Sequence, residues 1–316
     1  LIYIDPPFDS KADYVRKVKI RGEKVEGAGQ GLFEEKQYTD IWEKDEYLQF
    51  MFERLLLMRE LLSENGSIFM HLDWHKDAYL RILMDEVFGE NNFRREIIWH
   101  KGNLFGYASS VDNFVHSHDV ILYYAKHSGK ETFNKQFEQY SQEYIEKRFV
   151  HEDEKGRYRL QGSDNQKQYL DSSKGIPMSD VWDISIVNVM AKEKTDYPTQ
   201  KPEELLEMII KSTTNEGDVV ADFFMGSGTT LSVAQKLGRK WIGCDINLGG
   251  IQITTKRLNQ IVLDQQKEKT KGFKGSLGFK ILNVNDYDVF KNEIEAKEIV
   301  MEMYGVEPVK RTYFDG

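Results

Sequence analysis

Two short apolar runs in this chain stop abruptly at polar, turn-forming sequences. One is residues 1–4, which an Asp-Pro-Pro-Phe sequence follows, and the other is residues 219–221, which an acidic residue and a glycine-rich sequence follow. Short apolar runs bounded by turn residues are typical of strands that are buried on both faces of a parallel sheet. In doubly wound sheets, ligands bind at the carboxyl ends of such strands. The pattern therefore predicts one site that the two loops form together.

Helical and strand patterns alternate along most of the chain. Apolar spacing predicts helices at about 45–62, 76–88, 202–211, 229–237, 250–263 and 289–303. It predicts strands at about 67–72, 93–99, 120–125, 218–223, 240–245 and 279–283. This alternation predicts an α/β fold with a doubly wound, mostly parallel sheet and helices on both faces. Residues 9–39 lack a long period, and we expect a loop or a hairpin there.

The alternation is interrupted between residues 127 and 197. Charged and polar residues dominate there, with aromatic residues between them. We predict an inserted region with a small core of its own, which divides the chain into residues 1–126, 127–197 and 198–316. Several side chains of the insertion carry donors suited to base edges and phosphates, although each one alone could be an ordinary surface residue: Arg148, Arg157, Arg159, Gln161, Asn165, Gln166 and Lys167.

Composition narrows the class of protein. The chain has 316 residues, 40% of them hydrophobic, which suits one large α/β domain with an insertion. A net charge of −9 argues against a general nucleic-acid coat, but a basic stretch at residues 16–24 could still contact phosphate. The single cysteine, Cys244, indicates a reducing cytoplasm, and no apolar run approaches the ~18 residues of a membrane span. The chain begins on a strand without a methionine, so we expect a fragment of a longer cytoplasmic protein without membrane contact.

The glycine-rich loop has the features of a nucleoside-cofactor site. Gly226 and Gly228 let the backbone approach a ligand, and the next helix offers free amides at its N-terminus. Asp245 ends the following predicted strand, where an acidic residue can accept hydrogen bonds from ribose hydroxyls. A dinucleotide site would need a third glycine where Leu231 stands, and a P-loop would need Gly-Lys-Ser/Thr. S-adenosylmethionine therefore fits better than NAD, and the alternative is a turn that binds no ligand.

The Asp-Pro-Pro-Phe loop suits chemistry on an amino group. Pro6 and Pro7 fix the backbone after Asp5. The exocyclic amino group of a nucleobase is a poor nucleophile, because its lone pair is delocalised into the ring. The Asp5 carboxylate and the Pro6 carbonyl could accept its two hydrogens and turn the lone pair toward a methyl donor. Phe8 could stack on the base, a contact worth roughly 1–3 kcal/mol, once the base has left the duplex.

Along the chain, the Asp-Pro-Pro-Phe loop comes first and the glycine-rich loop comes second. Motifs in this order resemble those of the beta-arranged DNA amino-methyltransferases, particularly the modification subunits of type III restriction systems. The resemblance covers nearly the whole chain apart from the insertion. It implies a circularly permuted, Rossmann-like methyltransferase fold, S-adenosylmethionine as the cofactor and double-stranded DNA as the substrate. It also leaves a restriction subunit and a second copy of the chain open as partners. The matching segments are Asp5-Pro6-Pro7-Phe8, Tyr197 to Pro202, Asp222 to Thr230, and Trp241 to Asp245.

The resemblance also assigns residues. The catalytic set is Asp5, Pro6, Pro7 and Phe8. The cofactor set is Thr199, Lys201, Asp222, Phe223, Phe224, Gly226, Ser227, Gly228, Thr229 and Asp245. A catalytic run that begins with Asp favours the N6 amino group of adenine. The N4 amino group of cytosine is the alternative within the class, and a DNA-binding specificity module without activity is the alternative outside it.

The chain departs from the family at two points and also contains one weaker motif, a cluster of two histidines and an aspartate. Phe8 stands where tyrosine is commoner, and a Gly-Asp segment that usually precedes the catalytic strand is not in this chain, which predicts weaker cofactor binding. His71, Asp73 and His75 lie close together, but no cysteine or further histidine cluster completes a metal set. We therefore predict no metal site and expect these three side chains to support or line the site.

Overall fold

The computed structural model describes residues 1–7, 13–17, 34–39, 44–102, 112–195, 197–268 and 278–283. The chain divides into two compact units, residues 1–277 and 278–316. In the second unit, residues 278–283 form neither helix nor strand, so the strand predicted at 279–283 is wrong. The helix predicted at 289–303 lies outside the described residues.

The described strands and helices follow the predicted alternation closely. The strands are β1 Ile2–Ile4, β2 Asp13–Lys17, β3 Glu34–Thr39, β4 Ser67–Leu72, β5 Phe93–His100, β6 His118–Ala125, β7 Phe137–Glu138, β8 His151–Asp153, β9 Gly156–Gln161, β10 Gln166–Tyr169, β11 Ile176–Pro177, β12 Val181–Asp183, β13 Val219–Asp222 and β14 Lys240–Gly243. The helices are α1 Lys44–Leu61, α2 Asp77–Phe88, α3 Gln142–Arg148, α4 Glu203–Thr213, α5 Thr229–Lys236 and α6 Leu248–Glu268.

A seven-stranded sheet forms the centre of the first unit. Its strand order is β12-β5-β6-β4-β1-β13-β14. Within it, β6 pairs antiparallel with β4 and with β5, while the other pairings are parallel. The mostly parallel sheet of the predicted fold is therefore present, with one reversed strand between two parallel groups. The segment at 9–39, expected as a loop or a hairpin, includes an antiparallel pair of β2 and β3.

Each face of the sheet carries its own core, because neighbouring residues of a strand point to opposite faces. Ile2 and Ile4 belong to the core that α1 and α2 cover. Tyr3 belongs to the other core, which α4 and α5 cover with residues such as Leu206 and Val233. The side chain of Asp5, two positions after Tyr3, is therefore expected on the α4 and α5 face.

The register of the sheet brings the two predicted loops to one edge. Strand β1 lies between β4 and β13, with Ile4 opposite Met70 and Ile2 opposite Ala221. All three strands run in the same direction, so the segments after Ile4, Leu72 and Asp222 leave the sheet at the same side. The start of the chain and its glycine loop are thus neighbours in space, although more than two hundred residues separate them.

The segment 127–197 holds small sheets and one short helix. Strands β8, β9 and β10 form one sheet, and β7 and β11 form another. Phe149 is fully buried, and Tyr140 and Tyr144 stack with ring centroids 5.0 Å apart. The last strand of the segment, β12, pairs in parallel with β5 of the main sheet. The segment therefore has a local cluster of aromatic side chains and is also tied into the central sheet.

Within the described residues, no helix combines the length and the apolar character that crossing a membrane would need.

Candidate active site

Asp5 has two differently placed oxygens at the edge of the sheet. It follows β1, and the ammonium group of Lys201, just before α4, donates to Asp5 Oδ2. The other oxygen, Oδ1, is buried and has no hydrogen-bond partner among the described residues. A buried acceptor without a partner is uncommon in native proteins and marks a place where an external donor can bind. The ion pair with Lys201 thus holds a carboxylate whose second oxygen is open.

A buried polar network lies beside Asp5 on β1, β4 and β6. The hydroxyl of Tyr3 is 3.0 Å from Nδ1 of His71, and Nε2 of His71 is 3.2 Å from Oδ2 of Asp119. Lys101 donates to the other oxygen of Asp119 at 2.6 Å. Because a carboxylate accepts, His71 Nε2 carries the proton in this arrangement, and the Tyr3 hydroxyl donates to Nδ1.

The charges of this network follow from burial. Burial, with the nearby charge of Lys201, lowers the pKa of His71, so the imidazole is neutral. Burial would raise the pKa of Asp119, but the hydrogen bonds from His71 and Lys101 and the positive charge of Lys101 outweigh it and lower that pKa, so the carboxylate is ionised. From the sequence, His71 was expected only to support or line the site. The signal that could have revealed the network was polar residues inside otherwise apolar strands.

On the cofactor side, Asp222 is buried at the end of β13. Its Oδ1 accepts from the amide of Phe224 at 3.0 Å, and its Oδ2 accepts from the hydroxyl of Thr230 at 2.5 Å. Burial raises the pKa of Asp222 to about 7, although these two hydrogen bonds act in the opposite direction. The side chain therefore changes charge near neutral pH and responds to any charge that a ligand brings.

Gly226 and Gly228 are the positions where the loop requires glycine. Their φ angles are +48° and +70°, which lie in the left-handed region. A Cβ at Gly228 would stand 2.5 Å from the side chain of Thr254, and one at Gly226 would stand 3.0 Å from the ring of Tyr197. The loop therefore packs tightly between α6 and the segment before α4. A side chain at Gly228 would overlap Thr254, and one at Gly226 would crowd the ring of Tyr197.

Asp245, predicted to meet a ribose, also holds the loop from within. Its Oδ2 accepts from the amide of Gly226 at 2.7 Å, and its Oδ1 accepts from the amide of Asn247 at 2.8 Å. Burial raises the pKa of Asp245, and the two amide hydrogen bonds oppose that rise. Each carboxylate oxygen can accept a second hydrogen bond. Asp245 therefore positions the glycine loop and keeps capacity for ligand hydroxyls.

A second set of charges fixes the start of α5. Arg257 on α6 donates to the hydroxyl of Thr229 at 3.0 Å and to Glu203 at 2.8 Å, and Lys236 also pairs with Glu203. Ser227 Oγ lies 3.1 Å from the same hydroxyl of Thr229. Arg257 and Thr254 carry no signal in the sequence, because a single polar residue on a long amphipathic helix looks like part of its solvated face.

The remaining predicted residues fall into three groups. Phe223 and Phe224 are partly buried and pack against the core under α1 and α2. Pro6 is buried, while Pro7 and Thr199 are half-buried at the same edge. Phe8 lies outside the described residues, so its stacking role stays a prediction. In the described parts of the chain, no three His, Cys, Asp or Glu side chains are grouped to hold a metal ion.

Comparison with known proteins gives the class. Residues 1–256 match the N6_N4_Mtase family, described as DNA methylase. Because the match covers most of the chain, the chain belongs to this DNA methylase family. Membership confirms the resemblance on which the sequence analysis relied.

Three relatives show how far the similarity extends. M.EcaI, a type II methyltransferase of Enterobacter cloacae, is 28% identical over 306 residues, covering 81% of this chain and 64% of that protein. YhdJ, a DNA adenine methyltransferase of Escherichia coli K12, is 26% identical over 267 residues, covering 82% of this chain and 76% of YhdJ. The Mod subunit of the type III restriction-modification enzyme StyLTI of Salmonella typhimurium is 28% identical over 311 residues. That match covers 76% of this chain and 47% of the subunit, so the chain spans less than half of the Mod subunit's length.

A solved structure supports the fold. The PvuII DNA methyltransferase, which is cytosine-N4-specific, matches with a TM-score of 0.51 and 16% identity, and the alignment covers 88% of each chain. At this identity the likeness concerns the fold alone. It confirms the predicted Rossmann-like α/β fold with a mostly parallel sheet.

Proposed function

We propose that this chain transfers a methyl group from S-adenosylmethionine to the N6 amino group of an adenine in double-stranded DNA. The observation that carries the proposal is Oδ1 of Asp5, a buried acceptor without a hydrogen-bond partner among the described residues. Asp5 follows β1, and the glycine loop follows β13, the strand paired with β1. Family membership supports the reaction class, and from the site we infer the particular base and the cofactor.

The glycine loop fits a nucleoside cofactor that brings its own positive charge. The tight turn at Gly226 and Gly228 leaves backbone, rather than side chains, at the start of α5. Asp245 offers further acceptor capacity to ribose hydroxyls, and Asp222 offers a carboxylate whose charge adjusts near neutral pH. S-adenosylmethionine supplies an electrophilic methyl group on a sulfonium centre.

Asp5 has the role of an orienting acceptor. Its open Oδ1 can accept one hydrogen of the adenine amino group, and the backbone carbonyl of Pro6 is the proposed acceptor for the other. Two such hydrogen bonds would direct the nitrogen lone pair away from the ring and toward the methyl donor. Holding the two reacting atoms in line at about 3–3.5 Å can remove several kcal/mol of the barrier. The nitrogen would gain the methyl group as the carbon–sulfur bond of the sulfonium breaks. The electron pair of that bond would stay on sulfur and give S-adenosylhomocysteine, and one amino proton would leave to solvent.

Adenine is preferred to cytosine for two reasons. The catalytic run begins with Asp5, which by resemblance favours adenine. YhdJ, whose similarity extends over 82% of this chain, is a DNA adenine methyltransferase. The PvuII enzyme acts on cytosine, but its likeness concerns the fold alone.

We further propose that residues 127–197 read the DNA sequence. Three of the donor-bearing side chains are engaged within the segment: Arg157 donates to the carbonyl of Phe149, Arg159 to Gln168 and Tyr144, and Lys167 to Asp153. The others are exposed on α3 and around the β9–β10 turn: Arg148, Gln161, Asn165 and Gln166. These four side chains are therefore the better candidates for contact with bases.

An exchange experiment tests the reading segment. The segment 127–197 would be replaced by that of a relative with another recognition site, and the modified sites mapped by sequencing. We expect the sites to follow the segment. Sites that stay unchanged after the exchange would place recognition outside it. Combined alanine variants at Gln161, Asn165 and Gln166 should relax specificity, whereas Arg159→Ala should mainly lower stability.

The decisive experiment measures the product. The full chain is incubated with mixed DNA and a cofactor carrying a labelled methyl group, and the DNA is digested to nucleosides for mass analysis. We expect labelled N6-methyl-2′-deoxyadenosine, and far less of it from the Asp5→Ala variant. Label in N4-methyl-2′-deoxycytidine would show that the target base is cytosine rather than adenine. DNA binding without transfer of label would favour a specificity module without activity.

The proposed partners rest on the relatives. The StyLTI Mod subunit is part of a type III restriction-modification enzyme, which supports a restriction subunit as a partner of this protein. A homodimer stays a prediction from the family resemblance. Sedimentation of the chain alone and with DNA would measure its oligomeric state.

A further inference from the structure

The turn after β4 presents an aromatic residue to solvent. Trp74 is 60% exposed, and its ring stacks on the ring of His75 with centroids 4.0 Å apart and planes inclined by 26°. Asp73 fixes this pair, because it accepts from the His75 amide at 3.0 Å and lies 2.6 Å from His75 Nδ1. A tryptophan that is exposed yet held in one orientation offers a prepared aromatic surface.

This stack lies at the edge that carries Asp5. Ile4 of β1 pairs with Met70 of β4, so the next positions along the two strands, Asp5 and His71, are side by side. Trp74 lies in the turn just after β4, and the end of β4 is beside the end of β1, which Asp5 follows. On its other flank, the ring of Trp74 lies 6.3 Å from that of His116, at the entry to β6.

The polar side chains around the stack differ in exposure. The two carboxylates of the cluster are turned inward: the side chains of Asp73 and Asp119 are 15% and 6% exposed, and each is engaged by a histidine. The histidine side chains are more exposed, 34% for His75 and 36% for His116. The surface beside the stack therefore shows an aromatic ring and two imidazoles, while these two carboxylates are withdrawn from it. An exposed aromatic face of this kind can stack on a base that has left the duplex.

We propose that the exposed part of Trp74 is a stacking platform for a nucleobase that has left the DNA stack beside Asp5. The inference rests on the proposed function, since it takes DNA as the substrate. His75 supports the indole from behind, and Asp73 fixes His75. Trp74 therefore contributes to DNA affinity and to positioning the base, but not to cofactor binding.

The test uses a fluorescent single-stranded oligonucleotide of mixed sequence, because its bases are accessible without a recognition event. Anisotropy would measure its binding to the full chain, to Trp74→Ala and to Trp74→Phe. Stacking on an aromatic side chain is worth roughly 1–3 kcal/mol per base, so Trp74→Ala should weaken binding by about 5- to 150-fold. Trp74→Phe should stay within about threefold of the original chain. Calorimetry should give the same cofactor affinity for all three.

Leu61→Ala is the matched control. Leu61 is 68% exposed and ends α1, at the opposite end of β4 from Trp74, so its loss should leave DNA binding unchanged. Equal DNA affinity of the original chain and Trp74→Ala would show that Trp74 is not a stacking platform. If the original chain binds DNA but transfers no methyl group, the proposed catalytic function is wrong, and the same affinity ratio still decides the platform. A chain that binds no DNA would overturn both.

Discussion

The glycine loop follows β13, and Asp5 follows the neighbouring strand β1. The carboxylates of these two regions are used differently. In the loop, both oxygens of Asp222 and both oxygens of Asp245 already accept hydrogen bonds from the chain itself. At the edge, one oxygen of Asp5 is paired with Lys201 and the other has no partner among the described residues. Every carboxylate oxygen of the two loop residues thus has a hydrogen-bond partner within the chain, while Oδ1 of Asp5 gains a partner only when a donor binds.

The contrast separates two ways of preparing a site. A loop whose acids hold its own amides keeps its shape before the cofactor arrives, so little ordering remains to be done on binding. A buried carboxylate with an open oxygen is costly in the free protein and gains its partner only when the amino group arrives. Changes in the loop should therefore affect stability and cofactor affinity, and a change at Asp5 should affect turnover.

The largest effect is expected at Asp5. Asp5→Ala should slow methyl transfer by ~100-fold or more with cofactor affinity nearly unchanged, because the lost acceptor engages only the target amino group. Single-turnover rates at saturating cofactor, with calorimetry for affinity, measure the two quantities separately. A variant that binds the cofactor poorly but turns over normally once saturated would show that Asp5 belongs to the cofactor side.

Asp245 tests the other region. Asp245→Ala should weaken S-adenosylmethionine binding by roughly 1.5–3 kcal/mol, the range for hydrogen bonds to a charged acceptor. Because Asp245 also accepts from Gly226 and Asn247, thermal unfolding of the cofactor-free variant is measured as well. A fall in affinity without a fall in melting temperature would assign the effect to the ribose. An unchanged dissociation constant would remove the ribose role.

The tight packing of the loop predicts a smaller effect, on stability. Gly228→Ala combines a φ of +70° with an approach of 2.5 Å to Thr254. Gly217→Ala is the matched control, because Gly217 has a φ of +87° and nothing within 4 Å of its added Cβ. Overpacking typically costs about 1–3 kcal/mol, so Gly228→Ala should be about 2 kcal/mol less stable than Gly217→Ala in denaturant unfolding. Equal losses would mean that the loop moves aside easily.

Most of the fold could be predicted from local pattern. The buried strands β4 and β6 and the amphipathic helices α2 and α4 have apolar spacing that is strong enough to fix their type. The predicted strand at 279–283 failed, since a short apolar run alone does not guarantee a neighbouring strand to pair with. Pairing depends on the rest of the chain, which a local window does not contain.

The site could be predicted only at its motifs. Asp5, Asp222 and Gly226 belong to the Asp-Pro-Pro-Phe and glycine-rich motifs. Such combinations of residues are seldom needed for structure alone, so they indicate a site. The partners that hold them, such as Arg257 for the start of α5, come from distant segments with no local signal. The register of β1 with β13 is what brings the motifs together, and only the assembled sheet reveals it.

Asp222 gives the smallest and most specific prediction, which links the cofactor to pH. Burial raises the pKa of Asp222 to about 7, above the ~4 of an unfolded carboxyl group. The folded, cofactor-free chain therefore holds a proton that the unfolded chain has lost. The stability from this group is fully present below pH ~4 and is lost as the pH rises through about 7.

A positively charged cofactor should favour the ionised form of Asp222, so binding should release this proton. Affinity for S-adenosylmethionine should then rise with pH, by about tenfold between pH 6 and pH 8, and level off above that range. In Asp222→Asn both pH dependences should flatten, whereas Asp218→Asn, at an exposed position just before the same strand, should keep them. Calorimetry in two buffers of different ionisation enthalpy counts the released protons. Proton release that survives in Asp222→Asn would show that another group in the site titrates.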